Sequence, residues 1–309
     1  MMILVTGGSG FVGRRLCDAL LSRNHTVTVV SRDPGRARGA WMSQADMRGK
    51  DRIFFRGWLP ELDAYDAVIN LAGEPLFGKR WDPAVKHELR ASRVDATHQI
   101  VSAIKVAKDP PDVLINGSAI GYYGSRGDEE LPESAAPGND FLADVCKDWE
   151  AAAADCPVRT VFLRTGVVLG RNGGALQSML LPFKLGVGGP IGNGKAWFSW
   201  IHIEDEVGLI LHALEGAGDR APKHEPIHGA LNAVSPGVVT NKEYTKALGR
   251  TLSRPTILPV PPFGLKLMFG GAAEVLLASQ RCVPEVARNT GYKFVYPEIE
   301  PALRQILDR

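Results

Sequence analysis

Hydrophobic and polar positions in the first half of the chain repeat one unit: a short apolar run, a turn, then a stretch with helical period. The runs Ile3–Thr6, Thr26–Val30, Ile53–Phe55, Ala67–Leu71, Asp112–Asn116 and Thr160–Arg164 have the length of buried strands. Between the first two, Val12, Leu16, Ala19 and Leu20 recur at i, i+4, i+7 and i+8, which puts them on one face of a helix. Strands alternating with such helices predict an α/β fold with a parallel sheet covered on both faces. Right-handed crossovers make it a Rossmann-type doubly wound sheet, with ligands at the carboxyl ends of its strands.

After Gly170 the texture changes. RNGGALQSMLLPFKLGVGGPIGNGK is rich in glycine and proline and reads as the chain leaving the sheet, while SWIHIEDEVGLILHALE and GALNAVSP return to it as a helix and a strand. KEYTKALGR, FGLKLMFGGAAEVLLAS and PALRQIL predict a smaller, mostly helical C-terminal part. The expected division is a nucleotide-binding domain over 1–170 plus about 200–235, and a substrate domain over about 171–199 plus 236–309.

Composition narrows the partners. A chain of 309 residues, 45% hydrophobic, can bury a large core without staples. The net charge of +2, with no polybasic run, argues against nucleic acid or a membrane surface and leaves a small molecule as the expected partner. Cys17, Cys146, Cys156 and Cys282 form no CxxC pair and have no histidine at ligand spacing, so neither a disulfide nor a metal is expected. MMILVTGG lacks the charged lead and long apolar stretch of a signal peptide, and no later run is long enough to span a bilayer. The expected location is the cytoplasm, and a removed organelle-targeting segment is compatible with it. The pattern leaves monomer or homodimer open.

The clearest chemical signal is ILVTGGSGFVGRRL, where Gly7, Gly10 and Gly13 follow a strand and open a helix. In a dinucleotide fingerprint the first glycine allows the tight turn, the second lets backbone approach a pyrophosphate and the third lets helix and strand pack closely. A glycine-rich turn with no ligand is the bland alternative. The second strand ends in Ser31-Arg32, and a guanidinium there suits the 2′-phosphate of NADP(H), with the serine as an added donor. Asp33 lies about twenty residues past Gly13, the usual distance for the acidic residue that selects NAD, and is the counter-argument.

With these residues in place the sequence resembles the short-chain dehydrogenase/reductase superfamily in its extended, epimerase-like branch. The carriers are TGGSGFVG, VINLAGE, INGSAIGYYG, Lys147, LRTGVVLG and WIHIEDEV, and the runs NLAGEPL, KRW, DFLADVCKDWE and GALNAVSP are similar to an atypical "epimerase family protein" group over nearly the whole chain. The resemblance implies that Gly7, Gly10, Phe11, Val12 and Gly13 hold the pyrophosphate and Ser31 and Arg32 the 2′-phosphate. It implies that Leu71, Ala72, Gly73 and Glu74 line the adenosine, Trp58 meets the adenine, and Lys147 binds the nicotinamide ribose. The turn of Thr165, Gly166 and Val167 would close over the nicotinamide, and Ser118 would polarise a substrate oxygen.

Three departures matter. The catalytic tyrosine of active members falls four residues before Lys147, where this chain has Ala143. An alanine delivers no proton, and loss of a general acid slows a reaction by about 10²–10⁴-fold. Tyr122 and Tyr123, on the loop after Ser118, are the candidate substitutes. The arginine that binds a nucleotide sugar's diphosphate is replaced by Phe198, and an asparagine after the sixth strand by Val167. Trp197, Phe198, Trp200, Phe183 and Met179 together suggest an apolar pocket instead, although for each singly domain-interface core is the better reading. His202 and Asp205 read as structural, Glu204–Glu206 as a first helical turn, Asp128–Glu130 as a solvated loop, and SQRCVPE with Arg281 as a weak substrate-domain signal. The expected function is an NADP(H)-dependent oxidoreductase or epimerase acting on a small, rather apolar carbonyl or hydroxyl compound. The alternative is a catalytically silent protein that senses NADPH.

Overall fold

The computed structural model describes residues 1–43, 49, 51–171, 173–215, 217 and 225–308. Its centre is a seven-stranded sheet of β1 (Met2–Thr6), β2 (Thr26–Val30), β3 (Ile53–Arg56), β4 (Ala67–Asn70), β5 (Val113–Ala119), β6 (Arg159–Thr165) and β7 (Gly229–Ala233). The strands run in the order β7-β6-β5-β4-β1-β2-β3, all parallel. Alternation explains why the runs are apolar throughout. Ile3 and Val5 enter one core layer and Leu4 the other, all fully buried, because helices cover both faces. Helices Phe11–Ser22 and Ile203–Ala213 pack on the first face, and Pro83–Val106 and Phe141–Ala151 on the second. The order reverses between β1 and β4, and that switch point opens the crevice in which such sheets bind ligands.

Two differences from the expected elements bear on the site. β5 runs on to Ala119 instead of stopping at Asn116, so Ser118 lies within a strand, and a 3₁₀ turn, Ile120–Tyr123, follows. The segment Asp128–Glu130 is not simply solvated: Glu130 and Leu131 pair in parallel with Arg281 and Cys282, and Asp128 accepts the indole N–H of Trp197 at 2.9 Å.

Helices Gly174–Lys184, Asn241–Leu252 and Ile299–Leu307 surround a second core of Leu169, Leu176, Phe183, Trp200, Tyr244, Leu248, Leu303 and Ile306. Helix Asn241–Leu252 starts at a capping box, in which Thr240 and Glu243 satisfy each other's backbone N–H, and it packs on Ile299–Leu307. Phe183 and Trp200 are core here, and the Trp200 indole donates to Gly237 O at 2.9 Å. Of the expected apolar set Met179, Trp197 and Phe198 are half-buried, Met179 and Phe198 against this core, with Phe198 4.4 Å from the Tyr244 ring. No helix among the described residues is long and apolar enough to cross a membrane.

Candidate functional site

The glycine-rich turn is built by exclusion. Gly7 has φ +70°, and a Cβ there would overlap the carbonyl of Leu71; a Cβ on Gly13 would overlap the Gly7 carbonyl. Gly10 differs, because a Cβ on it would meet only Gly7 O, at 3.1 Å, and otherwise faces open space. Gly10 caps helix Phe11–Ser22 through backbone alone, with no side-chain hydrogen bond and no acidic residue in the first turn. The first N–H groups and the positive end of the helix are therefore free for an anion, and the open face of Gly10 lets a diphosphate approach. The ring of Phe11 packs directly on the backbone of Gly170, Gly173 and Gly174.

At the end of β2 the residues that would select the nucleotide separate. Asp33 is the N-cap of helix Pro34–Met42 and accepts the Arg36 N–H at 2.9 Å, a structural use for its carboxylate. Arg32 is exposed and meets Glu74 at 2.8 Å, which holds the Glu74 carboxyl below its ordinary range. Ser31 lies against the Asp33 backbone, and Trp58, just past β3, is exposed. Leu71–Glu74 follow β4 in contact with the glycine turn. Behind them runs a buried polar chain: Asn70 accepts from Thr6 at 2.6 Å and donates to Asn116 at 2.7 Å and Thr97 at 3.0 Å, and Trp149 donates to Thr97 at 3.0 Å.

The β5 end brings the chemical residues together unequally. Ser118 is buried and gives its proton to Glu150 at 2.6 Å. Glu150 also receives the Arg164 guanidinium through two bonds of 2.8 Å, a paired fork almost out of solvent. Burial alone would push Arg164 down, but the bonds to Glu150 and Tyr123 outweigh it and raise it. Tyr123 is fully buried. Its hydroxyl donates to Asn232 at 2.7 Å and accepts from Arg164 at 2.9 Å, and burial pushes its pKa up. Tyr122 is half-buried, its ring lies 3.5 Å from the Arg164 guanidinium, and its hydroxyl makes no hydrogen bond among the described residues. Lys147 pairs with Asp144 at 2.7 Å, which raises its pKa, and the phenol of Tyr122 acts on it electrostatically. Ala143, on the same helix face, is fully buried. The structure thus leaves the Tyr122 hydroxyl unbonded among the described residues, holds Lys147 on Asp144, and binds Ser118 and Tyr123 into a Glu150–Arg164 network.

Thr165, at the end of β6, donates to Glu206 at 2.8 Å. Glu206 is buried with Oε2 unpartnered, and burial pushes its pKa up to about 8. Val167 pairs with Trp200, and Gly166 bonds to Ala233 O. His202 caps helix Ile203–Ala213: Nδ1 accepts the Glu204 N–H at 3.1 Å, which leaves Nε2–H for Gln305 at 2.9 Å, and burial lowers its pKa. Asp205 accepts the N–H of Val295 at 2.7 Å and of Tyr296 at 2.8 Å, which ties the C-terminal segment to that helix. Among the described residues no His, Cys, Asp and Glu side chains are grouped to hold a metal ion. Sequence reasoning missed Glu150, Arg164, Glu206 and the asparagine chain. The only signal for them was charge or amide at positions the apolar pattern buries.

Comparison with known proteins agrees with this geometry. The profile of the NAD dependent epimerase/dehydratase family matches residues 3–225, and a domain of unknown function, DUF1731, matches residues 260–306. The chain is 39% identical over 311 residues to an epimerase family protein of Arabidopsis thaliana, a chloroplastic SDR39U1 homologue, covering 99% of this chain and 87% of the relative. The human epimerase family protein SDR39U1, crystallised with NADPH, superposes with a TM-score of 0.87 at 36% identity over 100% of both chains. A Corynebacterium glutamicum structure described as a nucleoside-diphosphate sugar epimerase gives 0.73 at 33% identity, over 99% of this chain and 58% of that one. The chain belongs to the NAD-dependent epimerase/dehydratase family, within the atypical epimerase-family group of short-chain dehydrogenases/reductases.

Proposed function

We propose that this protein binds NADP(H) across the glycine-rich turn and acts as an oxidoreductase or epimerase on a small, rather apolar carbonyl or hydroxyl compound. The observation that carries the reading is the state of Tyr122. Its hydroxyl is uncommitted among the described residues, its ring lies on Arg164, and it acts electrostatically on Lys147, so it can hand a proton to a substrate oxygen. The likeness to the human protein crystallised with NADPH supports the cofactor. The Ser31-Arg32 pair supports the phosphorylated form, because Asp33 is occupied as a helix cap. In this reading Gly7, Gly10, Phe11, Val12 and Gly13 hold the diphosphate. Leu71–Glu74 and Trp58 frame the adenosine, Lys147 orients the ribose, and Thr165–Val167 close the nicotinamide side. The nicotinamide supplies or accepts the hydride. Ser118 serves by anchoring Glu150, and Tyr123 by holding Arg164. With Phe198 and Val167 where nucleotide-sugar enzymes place polar contacts, the substrate is not a nucleotide sugar.

A second reading has its own observation. The Ser118 proton goes to Glu150 and Ala143 carries no phenol, so a protein that binds NADPH and signals without turnover is the competitor. Titration with NADPH and NADH by fluorescence, followed by a pool of small aldehydes, ketones and quinones, separates them. Oxidation that Tyr122→Phe abolishes supports the enzyme. Tight NADPH binding with no oxidation across the pool favours the sensor.

A further inference from the structure

In the run SQRCVPE the arginine is the residue the sequence points to, and the structure employs it elsewhere. Arg281 pairs with Glu130 at 3.1 Å, and its guanidinium lies 4.6 Å from the centre of the Trp197 ring. Gln280 is the member left with a free atom. Successive side chains of an extended segment point to opposite sides, so Gln280 shares its side with Cys282, which clusters with Ile120 and Tyr123. Its own amide reaches the same turn, where Nε2 donates to Ile120 O at 2.9 Å. That bond settles which end of the amide is which, since a carbonyl can accept only from the NH₂ group. Oε1 is turned away from that carbonyl and makes no hydrogen bond among the described residues.

The backbone beneath this amide is clamped. Gln280 O accepts from Ser199 Oγ at 2.6 Å, Gln280 N meets Trp197 O at 3.4 Å, and Ser199 Oγ also accepts the Cys282 N–H at 3.0 Å. Ser279 ties the segment to the loop beyond the turn, its N–H to Ser125 Oγ at 3.1 Å and its hydroxyl to Gly127 O at 2.9 Å. Gln280 is half-buried, with one end of its amide committed and the other open, which makes it a preorganised acceptor. The turn it touches, Ile120–Tyr123, follows β5 at the carboxyl ends of the strands, where such sheets bind ligands. Two uncommitted polar atoms therefore border one turn: the Tyr122 hydroxyl, which can donate to a substrate oxygen, and Gln280 Oε1, which can only accept.

We infer that Gln280 is a specificity-determining residue, whose Oε1 accepts a hydrogen bond from a substrate hydroxyl or N–H next to the oxygen that Tyr122 protonates. This rests on the reading of Tyr122 as proton donor. It narrows the substrate from small, rather apolar carbonyl compounds at large to those with a donor beside the carbonyl, α-hydroxy ketones first among them. A plain ketone is disfavoured because it would desolvate Oε1 without giving it a partner.

The test measures NADPH oxidation with two matched pairs, acetone with hydroxyacetone and deoxybenzoin with benzoin, in wild type, Gln280→Met and Gln280→Glu, beside thermal melts. Wild type should favour the hydroxylated member in kcat/KM by about five- to tenfold, which is what one neutral hydrogen bond contributes. Gln280→Met should lose that preference through the hydroxylated member and keep its rate on the plain ketone. Gln280→Glu loses the bond to Ile120 O but keeps an acceptor, so its preference should survive. A structural role moves different readouts: both variants would melt lower and lose rate equally on both members, and that result overturns the inference. So does a wild type that takes both members of each pair alike, or a Gln280→Met that keeps the preference. Should Gln280→Met not fold, Gln280→Glu decides, because a lost preference there refutes the role and a retained one supports it. If wild type turns over neither pair, the catalytic reading fails, and calorimetry on the NADPH-loaded protein reads the preference as a ratio of affinities. Equal affinities, or binding of neither member, overturn the inference.

Discussion

Two adjacent tyrosines should separate cleanly on mutation, because one hydroxyl is built into the protein and the other is not. Removing the Tyr123 hydroxyl deletes a bond donated to Asn232 at 2.7 Å and one received from Arg164 at 2.9 Å. A neutral bond contributes about 1 kcal/mol and one to a charged group about 1.5–3 kcal/mol. Both partners keep other bonds, Arg164 to Glu133 O at 3.0 Å and Asn232 to Leu131 O and Val283 O, which limits the net loss. Tyr123→Phe should then cost about 2–3 kcal/mol and lower the melting temperature by roughly 5–8 °C. Tyr122→Phe removes a hydroxyl without a protein partner and should leave the melt within about 0.5 kcal/mol of wild type. Turnover reverses the ranking. Tyr122→Phe should lose about 10²–10⁴-fold in nicotinamide oxidation, while folded Tyr123→Phe keeps most of it. Thermal melts and oxidation rates on the two variants suffice. An unchanged melt for Tyr123→Phe, or undiminished turnover in Tyr122→Phe, refutes the assignment.

Three further outcomes are expected. Gly10→Ala should weaken NADPH binding with little change in the melt, because its Cβ enters the open ligand face, whereas Gly13→Ala should cost about 1–3 kcal/mol by overlap with Gly7 O; dye-monitored melts with and without NADPH check both. Glu150→Ala leaves Arg164 buried and unpaired and should cost about 3–5 kcal/mol in chemical denaturation, and a loss under 1 kcal/mol would mean the guanidinium finds another partner. Glu206 has its pKa raised from 4.5 to about 8 in the folded chain, so its contribution is fully present below pH 4.5 and is lost as pH rises through about 8. Glu206→Gln keeps the Thr165 bond and cannot ionise, so its melting temperature should fall less than wild type's between those values, and parallel curves would sink the argument.

The sheet was legible in the sequence because strands buried on both faces are apolar at every position, as Ile3, Leu4 and Val5 are. The glycine turn was legible because steric exclusion leaves one residue type. The chemical end of β5 was not. Asn-Gly-Ser reads as a turn, yet Asn116, Gly117 and Ser118 continue the strand because Asn70, Thr97 and Glu150 satisfy their side chains across it. Glu150 sits on a helix where a charge normally faces water, and only tertiary packing turns it inward to Arg164. Periodicity could not tell Tyr122 from Tyr123, since a 3₁₀ turn points neighbouring side chains in different directions. The aromatic run from Trp197 to Trp200 announced apolar surroundings, but a core and a pocket are written in the same residues.

The contact of Phe11 with Gly170, Gly173 and Gly174 makes the nucleotide turn a shared property of distant parts of the chain. The N-terminal strand, turn and helix resemble a portable cassette, yet the aromatic face of Phe11 is finished only when the segment beyond the sixth strand is laid against it. A fragment ending before Gly170 would present that ring to water, and transplanting the first two dozen residues into another sheet would transfer the motif without its lid. In packing terms, the aromatic at position 11 and the glycines beyond the sixth strand form one unit, and a larger residue at any of those glycines would displace the ring.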